Sequence, residues 1–239
     1  MSTFKTEIFD LCKEVATEFP GWEFASGQFK NKSLRHTELV VHLGFGFEDD
    51  ATPVFPSVNI VNKRVSKLCK AIFGVVGCAS IVSMQVVAHT FTCRPENLRA
   101  GFWIVRDKKG YFSLAQPSQA VRDITIGIDE ARPILVETMR DVISFIENHY
   151  QLGSEDALLS ALPAMYETRH VNSPYDQLEK MKGVMLCLVH IVLGDFDFVE
   201  AYRDDSYKTI FPKRTQDLDR IISALPEIKK RYAETGSVI

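Results

Sequence analysis

Three histidines, His42, His89 and His190, lie on apolar segments and could converge with a carboxylate such as Glu38 on a metal ion. Zinc sites are usually written in a sequence as closely spaced ligands, and no HxH, HxxxH or paired cysteine motif is present. Dispersed structural histidines are therefore the preferred reading. Asp107-Lys108-Lys109 spells DxK, part of a Mg²⁺ nuclease site in which the acid holds the ion that polarises water. The run continues into Gly110, however, and Asp and Gly are what a tight turn asks for on backbone grounds alone. A nucleophile with an adjacent base is also poorly supported. There is no GxSxG, and Gly74-Val75-Val76-Gly77 lacks the Lys and Ser/Thr of a phosphate loop. On one strand, His89 and Cys93 would stand roughly 13 Å apart at ~3.3 Å per residue, beyond hydrogen-bonding reach. No cofactor and no enzymatic activity are expected.

What remains is charge. Lys63, Arg64, Lys67 and Lys70 surround one short helical face and read as a solvated surface, since the chain as a whole is acidic, with net charge −3. Nucleic acid is not an expected partner. Glu48-Asp49-Asp50 forms one acidic cluster, and Asp195, Asp197, Glu200, Asp204 and Asp205 form another, interleaved with Phe196, Phe198, Tyr202 and Tyr207. Rings beside carboxylates can make a protein-binding patch, because rings supply buried area and charges steer a basic partner inward. The plainer alternative is that the rings are core and the acids cap and solvate helix starts.

These residues must be positioned by a fold of 239 residues, long enough to bury a sizeable core, with an ordinary 46% hydrophobic and 25% charged composition. The start, MSTFKTEIFDLCKEVATEFPGW, is broken by Lys5, Glu7, Asp10, Lys13 and Glu14, so it reads as a helix rather than a signal peptide. Ile8, Leu11, Cys12, Val15 and Phe19 give it an apolar stripe, ended by Pro20-Gly21. No window approaches the ~18 apolar residues of a membrane span. Five cysteines without a CxxC pair fit a reducing compartment, and a cytoplasmic protein is expected.

Trp22 to Phe29 and Thr37 to Phe47 read as strands joined by the polar loop KNKSLRH. Pro53 and Pro56 bracket an extended piece leading to Val58–Val61, and Asn62 to Phe73 changes to helical period. Ser80 to Phe91, SIVSMQVVAHTF, reads as the central strand. Phe102 to Arg106 is expected to pair through a DKKG turn with Tyr111 to Leu114 as a hairpin. From about residue 129 only helices are expected: Asp129 to Tyr150 with Pro133 in its first turn, Ser154 to Leu162 closed by Pro163, and one capped at Ser173-Pro174 and running to Leu193. Asp195 to Tyr202 and Thr215 to Tyr232, the latter bent at Pro226, complete the set. Strands and helices segregate, so the expected class is α+β: an N-terminal helix, a mainly antiparallel sheet with one interposed helix, then an all-helical C-terminal half. The corresponding regions are 1–128 and 129–239, expected to form one compact unit.

PGWEFASGQFKNKSLRHTELVVHLGFGF, the segments SIVSMQVVAHTF and FWIVRD, and the closing helices resemble bacterial immunity proteins of polymorphic toxin systems. The group resembled is the one encoded beside restriction-endonuclease-like nuclease toxins, with Trp22, Gly27 and Trp103 among the matching positions. The resemblance implies a non-enzymatic protein that binds and neutralises a cognate toxin. An acidic inhibitor suits a nuclease with a basic cleft, and Glu48, Asp49, Asp50, Asp195 and Asp197 are the expected toxin contacts. The alternatives from other classes are a metal-dependent hydrolase using Asp107 with Glu38 or His42, and a scaffold whose helical half grips a peptide.

Overall fold

The computed structural model describes residues 3–74, 80–85, 101–114, 122, 125–167, 182–204 and 214–239. The class is α+β: an N-terminal helix, an antiparallel sheet with a helix interposed, and a helical C-terminal half. The chain divides into two compact units and passes between them repeatedly. The first comprises Met1–Ser33, Leu39–Asn59 and Met84–His149; the second comprises Leu34–Glu38, Ile60–Ser83 and Tyr150–Ile239.

In the first unit, α1 (Phe4–Ala16) starts where Thr3 accepts a hydrogen bond from the Thr6 amide, and it buries Phe4, Ile8, Cys12, Val15 and Ala16. Those positions recur at three and four residues, so one face of the helix is apolar along its length. The expected strand over Trp22 to Phe29 is instead two strands, β1 (Trp22–Ala25) and β2 (Gln28–Asn31), paired antiparallel. Between them Ser26 and Gly27 have φ of 55° and 78°. Positive φ at both central residues is the two-residue hairpin geometry whose twist matches the flanking strands, and it was hidden inside an otherwise apolar run. β2 pairs in turn with β3 (Thr37–His42), which stops short of the expected Phe47.

A second sheet runs β4 (Ala51–Val54), β7 (Phe102–Val105), β8 (Thr125–Gly127), with β4–β7 antiparallel and β7–β8 parallel. The expected hairpin after Phe102 is replaced by α3 (Lys108–Leu114). Asp107 is its cap, with Oδ1 accepting from the Lys109 amide at 2.9 Å. Asp and a free backbone amide two residues on are common to turns and helix starts, so local chemistry could not separate them. β8 was not expected at all, being three residues long. It leads directly into α4 (Ile128–His149), where Glu130 reaches back to the Gly127 amide at 3.3 Å. Gly127 has no side chain to answer it, so this is one half of a capping box; the helix begins at Ile128, and Pro133 falls past the first turn rather than within it. The core of this unit is Phe29, Val41, Leu43, Val54 and Val58 with Phe102, Ile104, Leu135 and Met139, all fully buried or nearly so.

In the second unit, the end of β5 (Ser57–Asn62) runs straight into α2 (Lys63–Phe73), with Asn62 as the cap and Gly74 as the left-handed stop. Ser154 caps α5, accepting from the Ala157 amide, and α5 (Glu155–Glu167) runs on past Pro163, where a stop was expected. The apolar run of α6 (Lys182–Val192) is buried on all sides from Val184 to Val189, which makes it the central helix of this unit. Around it pack α2, α5 and α7 (Phe196–Arg203), while α8 (Thr215–Thr235) lies against α7 and α2. No helix among the described residues is long and apolar enough to cross a membrane. The strand expected to be central, β6 (Ser80–Gln85), stands last in the strand order β1-β2-β3-β5-β6. Its expected continuation to Phe91 and the Ser173-Pro174 cap lie outside the described residues.

Candidate functional site

The acidic triplet is the tip of a hairpin in the first unit. Leu43 accepts from the Phe55 amide at 2.7 Å, and the Glu48 amide donates to Ala51 at 2.9 Å, so residues 43–48 run back along β4. The sequence LGFGFEDD dictates how. Gly44 and Gly46 face the β4 side, where a Cβ on Gly44 would sit 2.8 Å from the Phe55 carbonyl oxygen. Gly44 also has φ of 66°, a conformation glycine adopts without strain. The alternate residues, Phe45 and Phe47, join Phe4 and Phe9 of α1 in an aromatic cluster, with Phe47 edge-on to Phe4 and to Phe9, the latter at a centroid distance of 5.5 Å, and Phe45 tilted against Phe47 at 5.3 Å.

The tip is fastened by Arg106. Its backbone amide donates to the Asp50 carbonyl, its Nε to Asp50 Oδ1 at 2.6 Å, and its Nη1 to both Glu7 oxygens at 2.8 Å. The hydrogen bonds it donates to Glu7 and then Asp50 push the guanidinium's pKa up, keeping it charged. Asp50 therefore holds the hairpin in place, whereas Glu48 and Asp49 are exposed and carry no ion pair among the described residues. At the base of the same hairpin, Phe55 is 39% exposed, one of two large apolar side chains so exposed among the described residues. The one signal of Phe55 in the sequence is an aromatic ring between two prolines, at Pro53-Val54-Phe55-Pro56.

The second acidic cluster lies in the other unit. Asp195 caps α7, accepting from the Phe198 amide at 3.3 Å, and pairs with His190 Nδ1 at 2.8 Å. The His190 ring stacks on Phe198 at 3.5 Å, and its Nε2 is buried without a hydrogen-bond partner among the described residues. Phe196 packs edge-on against Tyr232, Glu200 pairs with Lys229, and Tyr202 is buried. Asp197 is exposed in the first turn of α7, with no ion pair among the described residues. Asp204 is exposed as well, while Asp205 and Tyr207 lie outside the described residues. Most of this cluster is thus engaged in closing α6 onto α7 and α8, and the hairpin presents its acids more openly.

Asp107 borders an open groove of about 760 Å³ in the first unit, lined among others by Lys109, Phe112, Arg122, Asp129 and Glu130. Lys108 reaches Glu130 at 3.6 Å, and the Arg122 guanidinium lies over the Phe112 ring. No three His, Cys, Asp or Glu side chains gather as a metal site among the described residues. His42 is half-buried on β3, and its pKa is lowered first by desolvation and then by Lys30. His89 and Cys93 lie outside the described residues. Cys12 is buried, and desolvation pushes its thiol up to about 12, far from a reactive thiolate. Of the basic helical face, Arg64 donates to the Val192 carbonyl at 3.1 Å, closing the end of α6, while Lys63, Lys67 and Lys70 are exposed. No family model, curated protein or solved structure matches the chain.

Proposed function

We propose that the chain is an immunity protein: a non-enzymatic inhibitor that binds a toxin encoded beside it, a nuclease with a basic surface, and neutralises it by protein contact in the cytoplasm. The observation that supports this reading is the fastened hairpin of residues 43–55. It presents Glu48 and Asp49 to solvent beside Asp50, with the exposed Phe55 at its base. Carboxylates on a preset scaffold steer a basic partner, and an aromatic ring at the same element supplies area to bury. Holding the tip through Arg106 lowers the ordering entropy that binding must offset. Asp197 of α7 is a further exposed acid, in the other unit.

The test is co-purification of the tagged chain with the product of the adjacent gene in moderate salt, followed by association kinetics. A stoichiometric complex that silences the neighbour's toxicity is expected. Its association rate should fall with salt and drop roughly tenfold or more in the double reversal Glu48→Lys/Asp49→Lys. Absence of a complex, or a complex indifferent to both salt and reversal, refutes this reading. A divalent-metal-dependent thermal shift abolished by Asp107→Ala would favour the hydrolase instead.

A further inference from the structure

Two cations lie over the phenylalanine cluster of the first unit, and their circumstances differ. Arg106 stands 5.5 Å from the Phe4 ring and is locked by Glu7 and Asp50. Lys5 is exposed, with Nζ 5.4 Å from the Phe9 centroid and 5.7 Å from Phe47, and no carboxylate pairs with it among the described residues. The negative ring faces are thus what holds this ammonium. Phe9 and Phe47 are half-buried, so part of each residue reaches solvent, and Phe47 immediately precedes the exposed Glu48 and Asp49.

We infer that Phe9 and Phe47 form a docking point for a lysine or arginine side chain of a basic protein partner, occupied in the free protein by Lys5 as an intramolecular stand-in. This rests on the reading of the hairpin as the surface that meets such a partner. The argument is one of charge complementarity. Ring faces next to two exposed carboxylates attract a cation, and the interaction strengthens when the partner's arrival excludes water. Lys5 sits at the end of a flexible stem and has no carboxylate to leave behind, so it can yield the place. Arg106, held by three side-chain hydrogen bonds to Glu7 and Asp50, cannot.

The experiment titrates the full chain with a hexa-arginine peptide while following the side-chain methylene resonances of Lys5, which the ring currents of Phe9 and Phe47 shift. Binding should move these resonances to their unstacked positions. Lys5→Met, which keeps the stem and removes the charge, should tighten the peptide roughly three- to tenfold, and Phe47→Leu should weaken it by a similar factor. Peptide binding that leaves the Lys5 resonances in place, or that is weakened by Lys5→Met, overturns the docking point without any variant of the ring. The two readings separate. Displacement of Lys5 by the peptide without a complex with the adjacent gene product sinks the inhibitor and keeps the docking point. A toxin complex in which Lys5 stays on the rings does the reverse.

Discussion

Asn62 joins the start of α2 to Thr37 and, through it, to Glu155 in the second unit, and removing it gives a sharp test of the structure. It is fully buried, and its Oδ1 accepts from the Arg64 and Val65 amides at 3.0 and 3.1 Å, satisfying two of the donors that open α2. Its Nδ2 donates to Thr37 Oγ1 at 2.8 Å, and Thr37 donates onward to Glu155 Oε1 at 2.8 Å. The same carboxylate oxygen accepts from the His36 amide at 2.6 Å, and the His36 carbonyl accepts from the Lys63 amide. Asn62→Ala removes the cap, worth about 1 kcal/mol. It also leaves the Thr37 oxygen, in a residue 2% exposed, short of a donor, which costs about 1–3 kcal/mol. The expected loss is about 2–4 kcal/mol, against about 1–3 kcal/mol for Thr37→Val, which removes a charge-assisted bond to Glu155. Because the two residues share one chain of bonds, the double variant should cost less than the sum by at least about 0.5 kcal/mol. Urea unfolding followed by circular dichroism measures each value, and amide exchange at Arg64 and Val65 reports the cap directly. Additive costs, or unchanged exchange at those two amides in Asn62→Ala, would refute the network.

Two further outcomes follow from local geometry. Gly44→Ala places a Cβ 2.8 Å from the Phe55 carbonyl at a φ of 66°, so it should destabilise by about 1–3 kcal/mol and loosen the hairpin, read as faster amide exchange at Phe55. His42 has a folded pKa lowered below its usual 6.5. The unfolded chain therefore binds its proton first, so its contribution is fully present above pH 6.5 and is lost as pH falls towards the lowered folded value. His42→Gln should flatten the pH dependence of stability across that window, as measured by urea midpoints; an unchanged slope would show that His42 is not its source.

Local chemistry made much of this architecture legible in the sequence. The stripe of Ile8, Cys12 and Val15, the Asn62 start of the interposed helix, the Ser154 and Asp195 caps and the α+β segregation all follow from periodicity and from side chains that satisfy their own neighbours' amides. Such signals act over a few residues, and the chain states them directly. Tertiary structure decided the rest. Asp107 could open a turn or a helix, and the choice fell to the helix because β7 finds its antiparallel partner in β4 and its parallel one in β8, not in the residues that follow it. Pro163 did not stop α5, which runs on to Glu167. The acids of the candidate site show the same division. Their charge could be read from sequence, and so could the capping place of Asp195 at the start of α7, whereas the role of Asp50 could not: it is tied to Arg106, 56 residues away, while Glu48, Asp49 and Asp197 are left to solvent. Which carboxylate is committed and which is available depends on which cation the fold brings alongside, and that is a property of packing between distant segments.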